Sequence, residues 1–120
     1  MKKIYLLLSG IILSASVMAQ TTIKQDEMSS HIGDSVKICM KIFGGIYLDR
    51  SKGTPTLLNV GDSYPRNPLT LFIGEDTRQT FAEKPEEFFK GKDVCITGKL
   101  ELYKEKIQIR IGSKEQIVLQ

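Results

Sequence analysis

The sequence has 120 residues, of which 41% are hydrophobic and 26% are charged, and its formal net charge at pH 7 is +3. This length and composition are typical of one small folded domain, and they exclude a two-domain enzyme and a disordered polymer. Residues 1–19 carry Lys2 and Lys3, then an apolar run, and end on Val17-Met18-Ala19. This pattern predicts a secretory signal peptide cleaved after Ala19, since the apolar run is too short to span a membrane.

The predicted mature chain, residues 20–120, is expected to form a single domain with nearly balanced charge. Loss of Lys2 and Lys3 with the leader leaves 15 basic and 14 acidic residues, a net charge of +1. So balanced a chain has no strong overall field toward nucleic acid or membrane, and any anion site has to be a local cluster. The leader predicts a secreted or periplasmic location, with no membrane span in the mature chain.

Alternation of apolar and polar residues with a period of two predicts the first strand, and two further short runs beside turn-rich loops predict the second and third. Residues 36–43 predict the first strand, in which every second side chain is apolar. Gly44-Gly45 predicts a break or bulge, after which residues 46–48 continue the strand. Residues 56–60 and 69–73 predict the second and third strands, and turn-rich loops separate the three.

The second half of the chain predicts one helix followed by a hairpin. Residues 81–90 favour a helix, with Pro85 in its first turn. Residues 94–103 and 107–111 alternate again on either side of a polar turn, and they predict the last two strands. Three strands, a short helix and two strands in this order predict an all-β fold, a five-stranded Greek-key OB-fold barrel with the helix between strands three and four. Gly98 is expected to relieve crowding inside such a barrel.

Cys39 and Cys95 are predicted to form a disulfide. They are the two cysteines of the chain, and an oxidising compartment favours their pairing. Both fall on the non-core face of their strands, and the first strand of an OB barrel pairs with the fourth, so the two side chains become cross-strand neighbours. The alternative is two unpaired cysteines. With one histidine and no CxxC motif, we predict no metal site, no cofactor and no catalytic residue.

Several segments carry a resemblance to a known group of proteins. They are residues 31–39 (HIGDSVKIC), residues 56–61 (TLLNVG) with Tyr64-Pro65 and Leu69-Thr70, and residues 89–98 (FKGKDVCITG). Over about residues 27–117 the chain resembles small secreted bacterial proteins that are described as OB-fold and nucleic-acid-binding-like. The resemblance implies the OB fold, and it suggests single-stranded nucleic acid or a similar polyanion as the ligand.

An OB barrel binds ligands across strands two and three, between the first loop and the loop that joins strands four and five. These segments supply aromatic rings and cations, on which bases stack and phosphates pair. The candidate ligand-binding residues are Tyr47, Arg50, Lys52, Asn59, Tyr64, Arg66, Lys104 and Lys106, and Tyr103 lies beside the last two.

Two positions near this face have structural interpretations. Phe72 alternates with Leu71 and Ile73, so one of the two faces of that strand is core, and we assign Phe72 to the core. Asn59 either caps a turn backbone or contacts the ligand, and we favour the cap.

The leading functional hypothesis is a non-enzymatic binding module for single-stranded nucleic acid or a similar polyanion. The alternative is an envelope module that binds a protein or a glycan and has no nucleic-acid role. The near-zero charge of the mature chain favours the alternative, whereas the grouping of tyrosines with arginines and lysines favours the first. An OB-fold nuclease ranks third, because Asp49-Arg50 and residues 75–78 supply its residue types without a recognisable motif.

Overall fold

The structure is a computed structural model that describes residues 20–120, so the leader predicted over residues 1–19 lies outside the described residues. The strands are β1 Thr21–Ile23, β2 Ser35–Tyr47, β3 Thr56–Val60, β4 Leu69–Ile73, β5 Asp93–Tyr103, β6 Lys106–Ile111 and β7 Ile117–Leu119. Two one-turn α-helices, α1 Glu75–Arg78 and α2 Pro85–Phe88, lie between β4 and β5, and 3₁₀ helices cover Gln25–Ser30 and Lys114–Gln116. None of the helices in residues 20–120 is long and apolar enough to cross a bilayer.

Five of these strands close into a barrel. Strand β2 pairs antiparallel with β3, β3 with β4, β5 with β6, and β2 with β5, whereas β4 and β6 are parallel. This is the strand connectivity of a Greek-key OB barrel, and it confirms the predicted fold class. The short strands β1 and β7 add one ladder each, parallel to β2 and antiparallel to β5.

The long strand β2 takes part in both sides of the barrel. Residues 35–41 pair with β5, and residues 42–47 pair with β3. The register shifts between Ile42 and Gly44, which leaves Phe43 as an extra residue, and Gly44 has a φ of +144°. The shift bends the strand from one partner to the other, so the predicted bulge is confirmed.

Alternate residues of the five strands fill the interior with aliphatic side chains. Gly98 lies on β5 where the interior is crowded, because a Cβ at this position would stand 2.5 Å from Cγ2 of Ile109. The predicted reason for this glycine is therefore confirmed. The fully buried side chains are Val36, Ile38, Ile42, Leu58, Val60, Leu69, Leu71, Ile73, Val94, Ile96, Leu100 and Ile109.

The helical segment between β4 and β5 is less regular than predicted. The helix expected over residues 81–90 is confined to α2, which begins four residues later than predicted, at Pro85, and α1 was not predicted at all. Phe89 anchors the segment, since it is 5% exposed and packs edge-on against Phe81 and Phe88. Four-residue helices are too short to show a helical period in the sequence, so tertiary packing decides their position.

The predicted disulfide between Cys39 and Cys95 is confirmed. The two residues lie directly opposite each other in the β2–β5 ladder, with their Cα atoms 4.0 Å apart. Both side chains are half-buried on the outer face of the barrel. The bridge therefore joins the two strands whose pairing closes the barrel.

Candidate ligand-binding groove

A groove of about 480 Å³ crosses the outer faces of β3, β4 and β6. The β2–β3 loop forms one wall through Leu48 and Pro55, and the β5–β6 turn forms the opposite wall. We call this depression the groove; its lining residues are Leu48, Pro55, Leu57, Tyr64, Thr70, Phe72, Tyr103, Lys104, Lys106, Gln108 and Arg110.

Strand register sets the floor of the groove. Phe72 lies between Leu57 of β3 and Arg110 of β6, and Thr70 lies beside Gln108. Phe72 is half-exposed while its neighbours in β4 are fully buried, so the assignment of Phe72 to the core is wrong. The strand is apolar on both faces at this point, and alternation alone cannot tell which face is the interior.

Three aromatic rings in the groove each have a cation beside them. The Nζ of Lys106 lies 5.6 Å from the centre of the Tyr64 ring, and the Nζ of Lys104 lies 5.4 Å from that of Tyr103. The guanidinium carbon of Arg110 lies 5.2 Å from the centre of the Phe72 ring. Tyr64 is 72% exposed and Tyr103 is 55% exposed. The groove therefore offers flat apolar surfaces and positive charge side by side.

The β5–β6 turn supplies one of these pairs, Tyr103 with Lys104, and the lysine of a second, Lys106. Lys104 and Glu105 have φ values of +48° and +66°, as the two central residues of a tight hairpin turn require. Tyr103 and Lys106 flank the turn and lie opposite each other in the ladder. The three aromatic and basic side chains of this wall, Tyr103, Lys104 and Lys106, thus come from one four-residue segment.

Glu101 is an acidic residue at the edge of the floor. Its Oε1 accepts hydrogen bonds from Nε2 of Gln108 at 2.9 Å and from Nε of Arg110 at 2.8 Å. The bond from Gln108, helped by that from Arg110, outweighs the effect of desolvation and holds the pKa of Glu101 below its usual range. The carboxylate stays charged, so it fixes the amide of the buried Gln108 and offsets part of the charge of Arg110.

Tyr47 lies outside the groove and is engaged elsewhere. Its hydroxyl donates a hydrogen bond of 2.8 Å to Oε2 of Glu75, which raises the pKa of Tyr47. The guanidinium of Arg78 lies 3.6 Å from the centre of its ring. One face of the ring and its polar atom are therefore occupied by protein groups.

The other candidates from the sequence surround the groove without lining it. Arg50 and Lys52 are exposed in the β2–β3 loop. Arg66 is exposed in the β3–β4 loop and pairs with Asp62 at 3.7 Å. Asn59 faces outward on β3 beside Gly44, in a separate shallow depression. The groove itself brings together Tyr64, Lys104 and Lys106; Tyr47, Arg50, Lys52, Asn59 and Arg66 lie outside it.

Gln108 and Arg110 are groove residues that the sequence did not identify. The signal was present, because Ile107, Ile109 and Ile111 alternate with them and leave both on the polar face of the last strand. In an OB barrel that strand pairs with the third, which places Gln108 beside Thr70 and Arg110 beside Phe72. Within residues 20–120, no group of three or more His, Cys, Asp or Glu side chains is arranged to hold a metal ion.

Comparison with known proteins supports the fold. No protein-family model and no curated protein matches the chain. Among solved structures, the chain is similar to one assigned as an aspartyl-tRNA synthetase from Leishmania major Friedlin, with a TM-score of 0.50 and 12% sequence identity. The match covers 85% of this chain and 21% of that one, so this chain spans about a fifth of the synthetase. At this identity the similarity shows a shared fold alone.

Proposed function

We propose that the protein is a non-enzymatic binding module whose groove takes single-stranded nucleic acid or a similar polyanion. The observation that carries the proposal is the set of three rings, Tyr64, Phe72 and Tyr103, each with a cation less than 6 Å from its centre. Bases stack on exposed rings, and phosphates pair with nearby cations, so a single strand uses both kinds of group at once.

The groove carries a small net positive charge. Lys104, Lys106 and Arg110 contribute three positive charges, and Glu101 offsets part of the charge of Arg110. The predicted mature chain carries only +1 in total, so attraction to an anionic ligand comes from this cluster rather than from the whole molecule. We therefore expect modest affinity and few ionic contacts.

We further propose that the protein acts outside the cytoplasm, as a member of the small secreted bacterial OB-fold group that it resembles. The leader predicted over residues 1–19 and the Cys39–Cys95 bridge support this location, because structural disulfides persist in oxidising compartments.

A second candidate is an envelope module that binds a protein or a glycan. The net charge of +1 and the carboxylate of Glu101 at the edge of the groove favour it, since neither attracts a polyanion. Aromatic rings and amides such as Gln108 also suit a sugar. The two candidates differ in their response to salt, because only a polyanion releases many counterions on binding.

The first prediction concerns oligonucleotide binding. The affinity of the purified protein for a labelled short oligothymidine should fall with salt, with a slope that corresponds to about two to four phosphate contacts. Lys104→Ala should lower that slope by about one contact. Tyr64→Ala should weaken binding by about 1–3 kcal/mol with the slope unchanged, because stacking is not ionic. The measurement is fluorescence anisotropy over a range of salt concentrations.

Lys37→Ala is the matched control, because Lys37 is an exposed strand lysine on β2 outside the groove. This variant should bind as the wild type does. Absence of binding at low salt, where ionic attraction is strongest, would exclude the nucleic-acid proposal and leave the protein- or glycan-binding module.

A further inference from the structure

The β2–β3 loop is tied at both ends to one carboxylate. Tyr47 is the last residue of β2, and Thr54 lies two residues before β3. The hydroxyls of Tyr47 and Thr54 both donate to Oε2 of Glu75, at 2.8 and 2.9 Å. Glu75 is the first residue of α1, beyond β4. A single atom from a distant segment therefore accepts a bond from each arm of the loop.

The two tied residues are the chain neighbours of the groove wall. Leu48 follows Tyr47, Pro55 follows Thr54, and both Leu48 and Pro55 line the groove. The amide of Leu48 also donates to the carbonyl of Pro55 at 2.9 Å, which closes the base of the loop. A movement of either tied hydroxyl would therefore displace a wall residue.

The loop needs such an anchor because its backbone is unfavourable at Thr54. This residue has a φ of +40°, and Gly53 before it has a φ of +77°. A left-handed conformation at a β-branched residue costs energy, and it persists only where surrounding contacts hold it. The bond from Thr54 to Glu75 is such a contact.

The surroundings of Glu75 keep it able to accept both bonds. The bond from Tyr47, and next that from Thr54, hold the pKa of Glu75 below its usual range. Gln79 approaches the other oxygen at 3.4 Å, and the Arg78 guanidinium covers the Tyr47 ring. The carboxylate is thus ionised at neutral pH and held by neighbours on β2, the loop and α1.

We propose that Glu75 is a positioning residue for the groove: it holds the wall formed by Leu48 and Pro55 in place without touching the ligand. The consequence for binding rests on the proposed function of the groove, whereas the anchoring of the loop does not. The ligand class is the single-stranded polyanion already proposed.

The second prediction concerns variants of Glu75. Glu75→Ala removes both bonds, so hydrogen exchange of the loop amides over residues 49–54 should become faster, and affinity for the labelled oligothymidine should fall about fivefold. Glu75→Gln keeps an oxygen that accepts two bonds, and it should restore slow exchange and most of the affinity. In the Glu75→Ala background, Thr54→Val should add nothing, because the bond that it removes is already absent.

Val94→Ala is the control for a loss of stability alone. Val94 is fully buried in the β2–β5 ladder, and it lines neither the groove nor the β2–β3 loop. This variant should lower the melting temperature at least as much as Glu75→Ala does, while affinity stays within about twofold of wild type.

Three results would overturn the inference. The first is unchanged loop exchange in Glu75→Ala. The second is faster exchange with unchanged affinity, and the third is an equal loss of affinity in Val94→Ala. If the wild type binds no oligonucleotide, the proposed function fails, and the exchange measurement alone then decides whether Glu75 anchors the loop.

Discussion

At the scale of single residues, Arg78 connects the loop, the barrel and α2. Its guanidinium donates to Oγ1 of Thr56 at 2.6 Å and to the two oxygens of Glu86 at 2.7 and 3.1 Å. The side chains of Arg78 and Glu86 are only 11% and 13% exposed. Thr56 is fully buried, and Arg78 is its hydrogen-bond partner. A charged pair at this depth requires partners of this kind, because removal of one member leaves an uncompensated charge.

Arg78 and Glu86 each shift the pKa of the other. Partial burial raises the pKa of Glu86, but hydrogen bonds from Arg78, together with nearby positive charge, outweigh it and leave that pKa below the usual 4.5. The bond to Glu86 raises the pKa of Arg78. Since the folded-state pKa of Glu86 is depressed, its contribution to stability is present above about pH 4.5 and is lost as the pH falls through the folded-state pKa.

The third prediction follows from this pair. Glu86→Gln should lower the free energy of unfolding at pH 7 by about 1.5–3 kcal/mol, because Arg78 loses its charged partner. Between about pH 5 and pH 3, the stability of the variant should decline less steeply than that of the wild type. The measurement is urea unfolding at several pH values. Glu87→Gln, at the exposed neighbouring carboxylate, is the control; an equal pH dependence in wild type and Glu86→Gln would contradict the prediction.

At the scale of elements, β5 and β6 pack so closely inside the barrel that there is no room for a side chain at Gly98. A Cβ at Gly98 would lie 2.5 Å from Cγ2 of Ile109 and 3.1 Å from Nε2 of Gln116. Ile109 is fully buried, so it has no open space to move into. The amide of Gln116 also donates to the carbonyl of Thr97 at 2.9 Å, which holds the C-terminal 3₁₀ helix against β5.

The fourth prediction tests this close packing of β5 against β6. Gly98→Ala should reduce the free energy of unfolding by about 1–3 kcal/mol, because it forces extra volume into a filled core and because the φ of +158° at this position disfavours a side chain. Gly112→Ala is the control, since a Cβ there meets its nearest atom at an ordinary contact of 3.7 Å. Denaturant midpoints measure both. If the denaturant midpoint of Gly98→Ala equals that of the wild type, β5 and β6 are not tightly packed at this position.

At the scale of the whole molecule, the β2–β5 ladder closes the barrel, and the disulfide is part of this ladder. Seven residue pairs form this ladder, and Cys39 and Cys95 are the fifth from its Ser35 end. The two cysteines are 56 residues apart in sequence. Because a cross-link over so long a loop restricts the unfolded chain strongly, a loop-entropy model assigns it about 4 kcal/mol. That is a large part of the total stability of a small domain.

The fifth prediction concerns this bridge. Replacement of both cysteines by alanine should lower the free energy of unfolding by about 3–4 kcal/mol and the melting temperature by roughly 10 °C or more. Reductant should lower the melting temperature of the wild type and leave the double variant unchanged. Thiol labelling should detect two thiols in the wild type only after reduction. A fully reduced wild type with an unchanged melting temperature would contradict the prediction.

The sequence by itself determined the features that depend on neighbouring residues. Residues 56–60 and 69–73, each next to a turn-rich loop, were predicted as strands at their observed bounds. A bulge at Gly44-Gly45 was also predicted, and the register shifts beside it, between Ile42 and Gly44. Pro85 was predicted in the first turn of a helix, and it begins the shorter helix α2. With the strand order known, the pairing of Cys39 with Cys95 followed. These features can be predicted because pleat period, turn chemistry and proline geometry act within a few residues.

Only the tertiary structure decided the features that depend on contacts between distant residues. Phe72 faces outward because the barrel interior lies on the opposite face of β4, on the side of Leu71. Its neighbours across the sheet belong to β3 and β6. Tyr47, a candidate for stacking, instead bonds to Glu75, 28 residues further along the chain. Neither the orientation of Phe72 nor the contact of Tyr47 can be predicted from a local sequence pattern. A polar or aromatic side chain on a strand has the same sequence spacing whether it contacts solvent, ligand or another segment. Closure of the barrel decides which of these it meets.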